Sequence, residues 1–188
     1  RQAGARLREP RARLHIGPAR GARHDNGVAT SHPPDPIPCG RRQWYRGNNN
    51  AWGVKYSEIL NRIMAADLSV ISTEYDRAVT GYYPGGKELI STDGVDEFWI
   101  GLRSSFPSAN FEIHHQIGRE DPLMPPRVAL RWSLTGKHDG WGAFGQPTGA
   151  EVHVMGISHA EFGPWGLRRE YTLFDETAIW KQIALKKG

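Results

Sequence analysis

Apolar residues change their period along the chain, and the changes mark out its elements. From Val54 they recur at helical spacing: Val54, Ile59, Leu60, Ile63 and Met64. After an interruption at Asp67-Leu68 they resume as Val70, Ile71, Tyr75 and Val79, and the spacing predicts a pair of helices over about 54–78. GYYPGGKEL (81–89) is turn chemistry flanked by β-type residues. Ser91-Thr92-Asp93 offers a helix N-cap, with acids at 93, 96 and 97 suited to a first turn. Val95, Phe98, Trp99, Leu102 and Phe106 then share one helical face, and Pro107 ends the helix.

Beyond Pro107 the period becomes two. Phe111, Ile113, His115 and Ile117 suggest a first strand, and Val128, Leu130, Trp132 and Leu134 a second. Val152, Val154, Gly156, Ser158, Ala160 and Phe162 give a third, and Leu167, Arg169, Tyr171, Leu173 and Asp175 a fourth. GPWG (163–166) reads as the hairpin between the last two. Ala178–Leu185 closes the chain as a short helix or a strand. Helices followed by a meander of strands predict an α+β class. The expected architecture is a cone-like α+β barrel, with N-terminal helices packed on a strongly curved antiparallel sheet. The interior of such a cone can be a pocket.

Charge divides the chain unevenly. Residues 1–46 hold ten Arg and three acids, net +7, whereas 47–188 hold 14 basic and 17 acidic residues, net −3. The basic character therefore belongs to an Arg/Pro-rich leader over 1–46, expected to be disordered or a truncated extension, and 47–188 is the folded domain. The leader has no Lys and no aromatic before Trp44, so nucleic acid is not the expected partner. The one cysteine, Cys39, sits in the proline-rich PDPIPCGRR and excludes an intrachain disulfide and a cysteine zinc cluster. No run of 18 apolar residues and no signal-peptide h-region occur, so no membrane association and a cytoplasmic location are expected.

Four motifs follow one another in the second half: Gly136-Lys137-His138-Asp139-Gly140, Pro147-Thr148-Gly149, Gly156-Ile157-Ser158, and Tyr171 with Asp175. Together with the ending Trp180-Lys181-Gln182-Ile183, this ordered set resembles the SnoaL-like polyketide cyclase group of the nuclear transport factor 2-like superfamily. The resemblance covers roughly 54–188. It implies a cofactor-free cyclase, isomerase or hydrolase, in which the residue matching Asp175 is the acid/base of an intramolecular aldol closure. It also implies a homodimer formed through the sheet. The fold hosts binding domains as well as enzymes, so a non-catalytic ligand-binding or dimerisation module remains the alternative.

Asp175 is thus the candidate base for a small apolar carbonyl compound, and Asp-Glu-Thr-Ala is equally a helix N-cap sequence. His138 could donate to a substrate oxygen, orient Asp175, or hold its own loop by a hydrogen bond. Glu170 and Tyr171 point to opposite faces, so only one of them enters the cone. A buried Glu170 would need a partner such as Arg131 or Arg168, and an exposed salt bridge is the expectation. Trp99, Trp132, Trp141, Phe144 and Ser158 are candidate pocket residues or core, and Trp141 and Phe144 are expected to fold over the mouth as a lid or to meet a second subunit. No metal is expected: His114 and His115 face opposite ways, and His153 and His159 sit about 20 Å apart along one strand. The glycines of 136–149 lack the strand–GxGxxG–helix context of a nucleotide site.

Overall fold

A computed structural model describes residues 50–187. The leader over 1–46 and Cys39 lie outside the described residues. Helix α1 (Ala51–Met64) begins at Asn50, whose side chain accepts the Trp52 N–H at 2.9 Å. It buries Tyr56, Ile59, Leu60 and Ile63, one stripe of the helix. The short α2 (Ser69–Glu74) buries Val70 and Ile71.

The expected second helix ends there. Tyr75 and Val79 belong to strand β1 (Tyr75–Tyr83). Their helical-looking spacing comes from an irregularity: β1 shifts register against its neighbour between Tyr75 and Thr80. A turn at Pro84–Gly86 leads to β2 (Lys87–Ile90), paired with β1. Helix α3 (Ser91–Ser105) follows as the apolar face predicts, burying Val95, Trp99 and Leu102. Its cap differs from the expectation: Ile90 occupies the N-cap position with no side-chain hydrogen bond.

Strands β3 (Asn110–Arg119), β4 (Arg127–Lys137), β5 (Glu151–Gly163) and β6 (Gly166–Phe174) form the meander, and α4 (Glu176–Lys187) closes as a helix. The six strands lie in the order β2-β1-β6-β5-β4-β3. All pairings are antiparallel except β1 with β6, which is parallel, a pairing that the long connection between the two permits. The helices cover one face of this curved sheet, and the core lies between.

Strand β5 alternates without a break, burying Val152, Val154, Gly156, Ser158, Ala160 and Phe162. Gly156 pairs with Trp132, and a Cβ there would be driven into the Trp132 ring, so the glycine makes room for the largest side chain of the core. Strand β3 is less regular. A bulge between Ile113 and His115 turns Gln116 toward α1, where it binds Ser57, and leaves Ile117 exposed on the outer face.

Candidate functional site

The polar centre of the cone is Glu170. It stands on the inward side of β6, and its whole residue is buried. Four donors converge on it. Tyr56 of α1 and Tyr75 of β1 donate to Oε1 at 2.7 and 3.1 Å. Tyr83, at the far end of β1, and Trp99 of α3 donate to Oε2 at 2.6 and 3.1 Å. The expected salt bridge to Arg131 or Arg168 is not formed. Both arginines are exposed, and neutral phenol and indole donors take the place of a cation.

Burial raises the Glu170 carboxyl above its ordinary value, and the four hydrogen bonds oppose that rise without cancelling it. The same burial, together with the nearby carboxylate, pushes Tyr56, Tyr75 and Tyr83 well above the usual phenol range. The tyrosines therefore act as donors across the physiological range. A second buried polar line lies deeper in the sheet: Trp132 Nε1 donates to Ser158 Oγ at 2.9 Å, and Ser158 and Thr172 hydroxyls share a 2.9 Å hydrogen bond. Trp99, Trp132 and Ser158 are thus fully buried, and each is engaged inside the cone.

A pocket of about 350 Å³ opens beside this centre. Leu89, Phe98, Leu102, Phe144 and Phe174 give it apolar walls, and Lys87, Glu97 and Glu176 bring charge to it. Phe174 reaches inward to Trp132, with ring centroids 6.0 Å apart and planes tilted by 60°, so the pocket wall and the core are in aromatic contact.

The glycine-rich loop between β4 and β5 builds one wall of that pocket. Ala143 N–H donates to the Gly101 carbonyl at 2.9 Å, Gly140 N–H to the Ser105 carbonyl, and Phe144 N–H to Ser105 Oγ. The Gly140 contact satisfies a carbonyl that the end of α3 would leave unpaired, and the other two tie the loop to the helix's last turn. A Cβ at Gly140 or Gly142 would collide with α3 backbone, so only glycine permits the approach. Phe144 is buried against Phe106 and Trp180. Trp141 is 70% exposed and outside the pocket lining, so the expected two-aromatic lid is one aromatic wall.

His138 and Asp175 both stand in structural settings. His138 is fully buried at the root of the loop: its N–H donates to Ala150, its carbonyl accepts from Thr148 and Gly149, and Nδ1 lies 3.1 Å from Thr148 Oγ1. Asp175 is exposed, and its Oδ1 accepts the Ala178 N–H at 2.9 Å, the geometry of a helix N-cap for α4. Tyr171 faces outward, stacked on Tyr82 at 4.8 Å. Sequence reading missed Tyr56, Tyr75, Tyr83, Phe98 and Phe174. The available signal was tyrosine rather than phenylalanine at core positions, because a buried phenol needs an acceptor.

Among the described residues no group of three His, Cys, Asp or Glu side chains is placed to hold a metal ion, and no helix is long and apolar enough to cross a membrane. Known structures share the fold. A protein from Jannaschia sp. CCS1, provisionally named a SnoaL-like polyketide cyclase, is 14% identical with a TM-score of 0.58, covering 73% of this chain and 96% of its own. AclR of Streptomyces galilaeus, provisionally named a hydroxylase, is 23% identical with a TM-score of 0.55, covering 71% and 83%. A protein from Acidithiobacillus ferrooxidans, provisionally named a polyketide cyclase, is 20% identical with a TM-score of 0.51, covering 69% and 94%. At such identities the likeness speaks for fold alone. A search of curated proteins finds no match. The SnoaL-like domain profile matches residues 55–168, more than half of the sequence, and the chain belongs to the SnoaL-like domain family.

Proposed function

We propose that this domain binds a small, largely apolar, carbonyl-bearing molecule in the pocket walled by Leu89, Phe98, Leu102, Phe144 and Phe174. We further propose that it transforms that molecule by cofactor-free acid/base chemistry of the cyclase or isomerase kind. The observation that carries the reading is Glu170, a fully buried carboxyl held by four neutral donors and raised above its ordinary value. Burying such a group costs stability, and perturbed buried carboxyls cluster at reactive sites. In this reading the Phe98 ring swings aside as the carbonyl compound binds, Glu170 takes the proton alpha to the carbonyl, and Tyr83 and Trp99 turn their donors from Glu170 to the enolate oxygen. The role of base thereby passes from Asp175 to Glu170, and His138 anchors the loop.

Wild type, Glu170→Gln and Asp175→Asn are incubated with polyketide esters, steroid enones and hydroxy-ketones and followed by mass spectrometry. Product from wild type and Asp175→Asn, and none from Glu170→Gln, is expected. Loss confined to Asp175→Asn would return the role to that residue.

One observation favours a second reading, a binding module without chemistry: both Glu170 oxygens are already engaged by protein donors. Ligand retained in native spectra with no product from any variant would support it. The outer sheet face displays Ile117, Met155, Ile157 and Leu173, all exposed, and suits a second copy of this chain. Sedimentation should show a dimer that Ile157→Lys dissociates; a monomeric wild type would sink this part.

A further inference from the structure

The pocket and the buried carboxyl do not touch, and the rings of Phe98, Tyr83 and Trp99 stand between them. Phe98 lines the pocket. Its ring lies against Tyr83, with centroids 3.7 Å apart and planes 16° from parallel. Tyr83 in turn donates to Glu170 at 2.6 Å. Phe98 also meets Trp99 edge-on at 5.1 Å and faces Phe174 at 6.3 Å. Exposure falls steeply along this line: Phe98 is half-buried, Tyr83 is 3% exposed, and Glu170 and Trp99 are fully buried. On the apolar face of α3, Phe98 and Leu102 both meet the pocket, and of the two only Phe98 lies against Tyr83 and Trp99 in ring contact.

We propose that Phe98 sets the depth of the pocket and so selects which ligands reach Tyr83, Trp99 and Glu170. With its ring in place the pocket accepts a single-ring ketone and ends at the Phe98–Tyr83 stack. Without the ring, the space beside Tyr83 and Trp99 joins the pocket, and fused-ring ketones are accommodated. The surroundings of that space are aromatic, so a void there stays dry and takes up an apolar guest. A phenylalanine on a helix has few allowed χ1 wells, so its ring is a discrete barrier rather than a soft one. The inference rests on the pocket proposed above as the ligand site, and it concerns selectivity rather than the chemical step.

The test uses the full chain labelled with 5-fluorotryptophan, with the Trp99 resonance assigned through Trp99→Phe. Wild type, Phe98→Ala and Phe98→Leu are titrated with benzene and with acetophenone, 2-acetonaphthone and 2-acetylanthracene. Phe98→Leu shortens the wall while keeping it apolar, and it serves if the alanine variant fails to fold. In wild type, benzene should leave Trp99 unmoved and affinity should fall as rings are added. In the variants, benzene should shift Trp99, and the two-ring ketone should bind about tenfold more tightly than it does to wild type. A size cut-off and a Trp99 response identical to wild type in the folded variants would overturn the proposal. If benzene moves Trp99 only in the variants while no ketone binds any protein, Phe98 is confirmed as the barrier and the carbonyl-ligand reading is what fails.

Discussion

Glu170 stands in the middle of β6 and Asp175 follows its last residue, five positions on, yet their surroundings differ in every respect. Glu170 faces the helices, is fully buried, and gathers hydrogen bonds from α1, α3 and both ends of β1. Asp175 lies just past the strand, is exposed, and accepts a backbone N–H three residues ahead. One carboxylate joins distant parts of the chain, whereas the other starts a local helix. The same side-chain chemistry therefore does different work according to whether the inward face of β6 or the turn just beyond it presents it.

Removing Glu170 tests that contrast hardest. Glu170→Ala leaves three phenols and an indole without an acceptor, and should cost about 3–5 kcal/mol in denaturant unfolding. A cost near that of a surface substitution would erase the contrast. Its pH dependence sharpens the point. Because burial raises the Glu170 carboxyl, the native state holds more protons than the unfolded chain between the ordinary glutamate value, about 4.3, and the raised one. This group's contribution is therefore complete at low pH and declines as pH rises through that interval. Glu170→Gln should flatten that part of the stability profile, and an unchanged slope would assign it to other groups. The smallest effect is expected at the other carboxylate. Asp175→Ala should cost about 1 kcal/mol through loss of the α4 cap. A larger loss, or a loss of turnover, would give Asp175 more than a capping role.

How far these features could be read in advance depended on whether the signal was local. Strand β5 and the apolar face of α3 follow from simple periods, because burial on one side of an element repeats along it. The start of β1 and the far half of β3 did not follow, because a bulge in each strand changes which residues face the core. The four motifs led to the right fold, and they pointed to His138 and Asp175, which lie at a loop root and a helix start. The Glu170 cluster was beyond local reading. Its donors are 71 to 114 residues away in sequence, and nothing near Glu170 announces them. Which of Glu170 and Tyr171 faced inward was open for the same reason: alternation separates the two, but only the packed helices fix the side.

The union of the glycine-rich loop with the end of α3 has a consequence for how such a domain can diversify. Loops are the segments in which related proteins most readily exchange sequence. Here the loop's amides are bound to Gly101 and Ser105, and its glycines lie against the helix backbone. A foreign loop grafted between β4 and β5 would meet a helix end shaped for a different guest. The heritable module is therefore the pair, α3 from Gly101 onward together with residues 138–150, and chimaeras that move both should keep their pocket where those that move one lose it.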